Sequence, residues 1–107
     1  MLHLTTENFE AEITSYPRPA VVMFYALWCG KCAMMKPVAE DVAARNQSRI
    51  KFCEVEVDES PSLADKYGAD IVPTFVLFQK GKAVKTMKGM FSESVFEQRL
   101  LQIFRNC

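Results

Sequence analysis

Trp28-Cys29-Gly30-Lys31-Cys32 is the stretch around which the rest of the chain can be placed. An apolar run without alternation, 20–26, comes directly before it, and apolar residues at helical spacings of three and four follow it over 33–43. This order predicts a buried strand, a turn and a helix, with the two cysteines on the turn and the first helical turn. Unpaired N–H groups and the positive end of the helix dipole stabilise a thiolate there. Because two residues separate the cysteines, the pair can be a dithiol or a disulfide, and we interpret it as a redox switch.

The composition is that of an ordinary soluble domain. The chain has 107 residues, of which half are hydrophobic, and 13 basic residues balance 13 acidic ones. This length predicts a single domain, 1–107, with a core that needs no disulfide staples. A net charge of zero gives no electrostatic reason to expect nucleic acid or an anionic membrane as partner. The N-terminus has neither the basic start nor the long apolar stretch of a secretory signal. Taking the chain as complete, we expect a cytoplasmic protein.

The periodicity along the chain predicts an α/β fold with the order β-α-β-α-β-α-β-β-α. Parallel crossovers come first, and a hairpin turn at 79–82 joins the last two strands. Besides the strand and helix around the two cysteines, strands are predicted at 2–4, 50–57, 75–78 and 83–87, and helices between Thr5 and Pro17, between Ser60 and Gly68, and after Ser92.

Several polar or reactive residues lie away from the cysteine pair. Glu56 alternates with apolar residues in its strand and is predicted to be solvated, whereas Glu54 can face either side of a central strand. We expect the lone His3 to be structural or solvated. Cys53, in an apolar strand, is interpreted as an inert small hydrophobic residue, and Cys107, the last residue, receives no catalytic role.

Further motifs at characteristic spacings accompany the cysteine pair. Pro37 follows five residues after the second cysteine, 71–74 reads Ile-Val-Pro-Thr, Gly81 lies in the predicted hairpin, and Gly89 precedes the last helix. Together with the stretch 28–32, these motifs resemble the thioredoxin family over essentially the whole chain. The resemblance implies the thioredoxin fold, a central mixed β-sheet flanked by helices on both faces. It also implies a protein-disulfide reductase that works by dithiol–disulfide exchange in cellular thiol redox homeostasis.

The resemblance also assigns roles to residues. Cys29 would attack the substrate disulfide and Cys32 would resolve the mixed disulfide. Pro73 would be a cis-proline facing the site, and the backbone of Val72 would pair with the substrate chain. The docking groove would be lined by Trp28, Gly30, Gly89 and Met90.

The partners implied are disulfide-containing proteins and a thioredoxin reductase, and the chain is expected to be a monomer. No bound cofactor is expected, because the electrons reside on two sulfurs. NADPH would be used only indirectly, through the flavin-dependent reductase. No metal is expected at the site.

The chain departs from the family pattern near the cysteines, and Gly30, Lys31 and Glu54 are the residues expected to tune them. Lys31 stands where proline is usual. It either favours the thiolate, which makes the disulfide easier to reduce, or is a tolerated surface residue. Met23 stands where a buried aspartate is common and is first of all a core filler. Glu54 stands where the aspartate's partner lysine is common, and it is either a substitute carboxylate facing Cys32 or an unrelated solvated residue. Ile71 is bulkier than the small residue often found there.

Three alternative functions stay open at this point. The first is a specialised thioredoxin-like oxidant or isomerase. The second is a redox-inactive binding module, which the presence of both cysteines argues against. The third is a thiolate metal site in which Cys53 or Cys107 joins the pair; zinc normally takes four ligands, and the chain has no second CxxC or CxxH.

Overall fold

The computed structural model describes residues 1–105, which form a five-stranded mixed sheet with helices on both faces. Asn106 and Cys107 lie outside the described residues, so the expectation for Cys107 stays a prediction. The strands are β1 (Leu2–Leu4), β2 (Ala20–Tyr25), β3 (Lys51–Glu56), β4 (Thr74–Gln79) and β5 (Lys82–Lys88). The helices are a short π-helix (Glu10–Thr14), α1 (Gly30–Asn46), α2 (Pro61–Lys66) and α3 (Glu93–Arg105).

The sheet order is β1-β3-β2-β4-β5. β3 pairs in parallel with β1 and β2, whereas β4 pairs antiparallel with β2 and β5. The first half of the chain therefore forms parallel crossovers and the second half a hairpin, which confirms the predicted α/β order. β2 lies in the middle, and its first five residues are buried, as expected for an apolar run without alternation.

Alternate residues of β2 point to two separate cores, because successive side chains leave a strand on opposite sides. We call them the first face and the second face. The first face packs the π-helix and α2 around an aromatic group made of Phe9, Phe24, Tyr67 and Phe78. The second face packs α1 and α3 over the sheet and contains Met23, Cys32, Met35, Phe75 and Phe96.

The β4–β5 hairpin turns where it was predicted, at Lys80 and Gly81, both with positive φ. A Cβ on Gly81 would lie 2.0 Å from the carbonyl oxygen of Thr14, so the turn is pressed against the end of the π-helix. Only glycine fits this position, for both its φ of +78° and its contact.

Two local expectations need correction. The helical segment between Thr5 and Pro17 is a single π-helical stretch, closed by the Ser15 N–H donating to the Glu10 carbonyl at 2.8 Å. The prediction that Glu56 is solvated is wrong. Its carboxylate is buried because it accepts the backbone N–H groups of the turn that follows β3, from Asp58 at 2.7 Å and Glu59 at 3.1 Å.

Within residues 1–105, no helix combines the length and the apolar character needed to cross a bilayer.

Candidate active site

Cys29 lies where β2 has ended and α1 begins. It is the N-cap of α1 with extended backbone (φ −94°, ψ 111°), and its sulfur accepts the backbone N–H of Cys32 at 3.1 Å. The side chain is half-buried, and its thiol donates to the carbonyl oxygen of Val72 at 3.7 Å. An N-cap sulfur that accepts a helix N–H is in the environment that stabilises a thiolate.

Cys32 lies one helical turn deeper and belongs to the core of the second face. Its side chain is buried, and burial is the main reason why its pKa is raised, to about 11; the hydrogen bond with the Cys29 thiol adds to this. The two sulfurs are therefore adjacent but unequal. One is accessible at the helix start, and the other is covered, with a raised pKa.

The segment 71–74 closes the site from the side of β4. The Val72–Pro73 bond is cis, as the resemblance implied, and Pro73 is buried. Thr74 Oγ1 donates to the Ile71 carbonyl at 2.7 Å, and the Gly89 N–H donates to the Pro73 carbonyl at 2.9 Å. These bonds fix the segment so that the Val72 carbonyl faces Cys29.

Exposed apolar side chains occur on the segments that form the site. Trp28 is 70% exposed, and its indole N–H donates to Asp58 at 2.8 Å, so it is a surface group. The large apolar residues exposed on these segments are Leu27, Trp28, Met34, Ile71 and Met90. Leu27 and Met34 were not predicted. The sequence indicates them only by position: Leu27 directly precedes Trp28, and Met34 follows Cys32 by two residues.

A pocket of about 170 Å³ opens beside the two sulfurs. Besides Cys29 and Cys32, its walls are formed by side chains from the end of β2, the following turn and the start of α1: Tyr25, Ala26, Leu27, Ala33 and Lys36.

The family model for thioredoxin matches residues 1–102 of this chain. A thioredoxin-like protein of Synechocystis is 36% identical over 97 residues, which cover 91% of each chain. The chain belongs to the thioredoxin family. Thioredoxin 2 of Chlorobaculum tepidum is 35% identical over 90% of this chain and 88% of its own, and a thioredoxin of Allochromatium vinosum is 35% identical over 88% of both. Together with the CxxC pair at the start of α1, these relatives identify a protein-disulfide oxidoreductase with the thioredoxin fold.

Glu54, which stands where the resemblance leads us to expect a lysine, lies in a polar cluster behind the pocket. Its carboxylate is only 11% exposed and lies on β3 opposite Met23. One of its oxygens accepts a hydrogen bond from the Tyr25 hydroxyl at 2.9 Å and contacts His3 Nδ1 at 2.9 Å, and the other pairs with Lys36 Nζ at 3.3 Å. The hydrogen bonds found for Glu54 within residues 1–105 do not include Cys32, and its role toward that thiol stays a prediction.

The ionisation of this cluster follows from its contacts. Burial alone would raise the pKa of Glu54, but hydrogen bonds from His3 and Tyr25, and the nearby Lys36, outweigh it and lower the pKa. The same hydrogen bond to Glu54, followed by one to Glu59, raises the pKa of His3. Burial, followed by the hydrogen bond to Glu54, raises the pKa of the Tyr25 hydroxyl. Sequence reasoning missed Tyr25 and Lys36, although Lys36 is four residues after Cys32.

The other residues singled out from the sequence have simple environments. Met23 is buried in the second face, so it is a core filler. Lys31 is exposed on the first turn of α1, and Gly30 has open space where a Cβ would stand. Cys53 is buried on the first face, and burial raises the pKa of its thiol to about 11.

The structure also bears on a thiolate metal site. Cys53 lies on the opposite face of the sheet from Cys32, because the two belong to different cores. Among the described residues, no group of three or more His, Cys, Asp or Glu side chains is close enough to bind a metal ion.

Proposed function

We propose that this thioredoxin-family protein is a general reductant of disulfides in cytoplasmic proteins, with Cys29 as the attacking thiol and Cys32 as the resolving thiol. The observation that carries the proposal is the asymmetry of the pair. Cys29 is half-buried at the N-terminus of α1 with a helix N–H on its sulfur, whereas Cys32 is buried one turn below it. An accessible, stabilised thiolate is the attacking group in thiol–disulfide exchange.

The reaction takes two exchanges. The Cys29 thiolate attacks one sulfur of the substrate disulfide, so that a Cys29–substrate bond forms and the other substrate sulfur leaves as a thiolate. Cys32 then loses its proton and attacks the Cys29 sulfur. The Cys29–Cys32 disulfide forms, the bond to the substrate breaks, and the second substrate sulfur leaves as a thiolate. The substrate gains two electrons, and the two cysteines lose them.

A substrate peptide would dock along the cis-proline segment. The Val72 carbonyl accepts a hydrogen bond from the Cys29 thiol at 3.7 Å, so this backbone lies directly beside the attacking sulfur. Gly89, with φ of +96°, turns the chain beside Pro73, and Trp28 and Met90 are exposed apolar residues on the segments that form the site. Backbone pairing with apolar contacts suits extended segments of many sequences, as a general reductant requires.

The electrons would come back from NADPH through a thioredoxin reductase, and the protein would act as a monomer without a bound cofactor. The cysteine pair stores the two electrons itself, so the chemistry needs no other group.

Insulin reduction with dithiothreitol as electron source tests the proposal. The wild-type protein should accelerate precipitation of the insulin B chain, and Cys29→Ser should not. In cell extract, Cys32→Ser should accumulate mixed disulfides through Cys29, because the resolving sulfur is missing, and Cys29→Ser should accumulate none. An inactive wild-type protein, or equal trapping by both variants, would contradict the proposal.

The reduction potential of the Cys29–Cys32 couple tests the physiological direction. A strongly reducing value, near that of thioredoxins at about −270 mV, supports a general reductant. A value near −120 to −180 mV, as in dedicated oxidants and isomerases, would instead assign the chain to those classes.

A further inference from the structure

Lys36 connects the pocket beside Cys32 with the polar cluster around Glu54. It follows Cys32 by four residues in α1, so helix periodicity places both side chains on one side of the helix. Both residues line the pocket of about 170 Å³. The Lys36 ammonium lies 3.3 Å from a Glu54 oxygen and 5.2 Å from the centre of the Tyr25 ring. Contacts with Glu54 and with the Tyr25 ring therefore hold the ammonium in place.

Glu54 is better placed to hold this ammonium than to take a proton from Cys32. Both of its oxygens are engaged, one by Tyr25 and His3 and the other by Lys36. Its pKa is lowered by these contacts in spite of burial, and a carboxylate works best as a general base when its pKa lies near the working pH. A cation near a buried thiol, in contrast, directly favours the thiolate.

We propose that Lys36 is a positioning residue for the resolving step: its ammonium, held by Glu54 and Tyr25 at the wall of the pocket, stabilises the thiolate of Cys32. The inference rests on the proposed role of Cys32 as the resolving thiol. In this step the Cys32 proton goes to solvent, the Cys32–Cys29 bond forms, and the substrate sulfur leaves with the electron pair of its bond to Cys29. Lys36 takes part in no bond change; it stabilises the charge that appears on Cys32.

The other ionisable groups around the pocket determine whether a substitution stabilises or destabilises the Cys32 thiolate. Cys29 lies at the N-cap of α1 and is covalently occupied during resolution, and Tyr25 of β2 is held neutral by burial and its bond to Glu54. Behind them, Glu54 partly neutralises Lys36, and His3 of β1 bridges Glu54 to Glu59. Removing the ammonium and removing the carboxylate charge therefore have opposite effects on the Cys32 thiolate.

Ellman's reagent provides a direct readout of resolution. In a Cys107→Ser background, Cys29 releases the first thionitrobenzoate when it attacks, and Cys32 releases the second when it resolves the mixed disulfide. The rate of the second release is measured by stopped flow as a function of pH. Lys36→Met should move the midpoint of this profile up by about 0.5 pH unit and slow release about threefold near neutral pH, a modest effect because the ammonium is partly exposed.

Matched variants separate charge from packing. Lys36→Arg should restore the wild-type midpoint. Lys66→Met removes a lysine that also lies over a tyrosine ring, 5.6 Å from the centre of Tyr67, but on the first face, and should leave the profile unchanged. Glu54→Gln keeps the shape of the side chain and removes its charge, so it should move the midpoint down.

The outcomes distinguish the inference from the function on which it rests. An unchanged midpoint in Lys36→Met overturns the role of Lys36, and so does a Glu54→Gln variant that resolves more slowly at every pH, since Glu54 would then be the proton acceptor. If the wild-type protein releases no second thionitrobenzoate, Cys32 does not resolve, and the proposed function itself fails.

Discussion

The two faces of the sheet each hold one buried cysteine, and the two thiols resemble each other in most physical respects. Cys32 and Cys53 are both at most 3% exposed, and burial raises the pKa of each to about 11. They differ in their neighbours. Cys32 is hydrogen-bonded to a second thiol at a helix start and borders a pocket, whereas Cys53 is enclosed by the apolar residues of the first face. Reactivity at a buried thiol therefore depends on a partner sulfur and an opening more than on its own pKa.

Replacing cysteines on the two faces in turn compares these two environments, and the largest effect is expected at the cysteine pair. Cys29→Ser removes the partner sulfur and should lower insulin reduction by about a thousandfold or more, because loss of the nucleophile removes the whole exchange pathway. Insulin turbidity or coupled NADPH oxidation measures the change.

Cys53→Ala is the matched control on the other face. It should leave the rate of insulin reduction unchanged and lower the free energy of unfolding by about 1 kcal/mol, the cost of a small cavity in a packed core. Impaired disulfide reduction in folded Cys53→Ala protein would show that the two faces are coupled and would contradict the comparison.

Two glycines compare a tightly packed position, Gly81, with an open one, Gly30. Gly81→Ala should destabilise the fold by about 2–4 kcal/mol, because a Cβ there meets the Thr14 carbonyl at 2.0 Å and the residue has positive φ. Gly30→Ala, at the start of α1 where nothing lies within 4 Å, should change stability by less than about 1 kcal/mol. Urea denaturation of both variants measures the difference. Equal losses would mean that the hairpin contact with the π-helix is not required.

Local patterns in the sequence were sufficient for the succession of strands and helices. The unalternating run of β2, the helical spacing after Cys32 and the glycine in the β4–β5 turn each predict their element from neighbouring residues alone, and the structure confirms all three. The exception is the segment before Pro17, where one π-helical turn replaces the predicted helix. The cis bond before Pro73 came only from the resemblance to a family, because nothing in local composition selects the cis form.

The polar cluster could not be predicted in the same way. Glu54 contacts His3, 51 positions earlier, and Tyr25, 29 positions earlier, and each contact depends on the order of three neighbouring strands. The pattern of β3 predicts a solvated Glu56, because it does not show that a turn folds back onto its carboxylate. Contacts between distant residues require the sheet order, which periodicity does not provide.

A smaller effect is expected on the reduction potential of the pair when Lys31 is replaced. Each buried cysteine has a lysine close by in the sequence, but only Cys32 has a partner sulfur. The charge of Lys51 acts to lower the pKa of Cys53 without making it accessible, whereas Lys31 lies exposed between Cys29 and Cys32. Lys31→Pro should lower the reduction potential of the pair by about 20 mV or less, because a screened surface cation contributes at most about 1 kcal/mol to the thiolate form.

Equilibration with a glutathione buffer, followed by alkylation of free thiols, measures the potential of the Lys31 variants. Lys31→Met removes the charge without adding the rigid proline ring, so it separates the two contributions. An unchanged or raised potential in Lys31→Pro would leave Lys31 as a tolerated surface residue.

The smallest effect concerns the pH dependence of stability at the edge of the second face. The hydrogen bonds to Glu54 and then Glu59 raise the pKa of His3 above its ordinary value of 6.5 in the folded protein. The protonated imidazole therefore stabilises the fold fully below pH 6.5, and this contribution is lost as pH rises through the folded pKa. In urea denaturation, wild type should exceed His3→Gln in free energy of unfolding by more at pH 5.5 than at pH 8, by under about 1 kcal/mol because the ring is partly exposed. The difference between wild type and Cys53→Ala should stay flat over the same range, since its thiol titrates well above it. A flat His3→Gln difference would mean that the imidazole does not donate to both carboxylates at once, because both hydrogen bonds require the protonated ring.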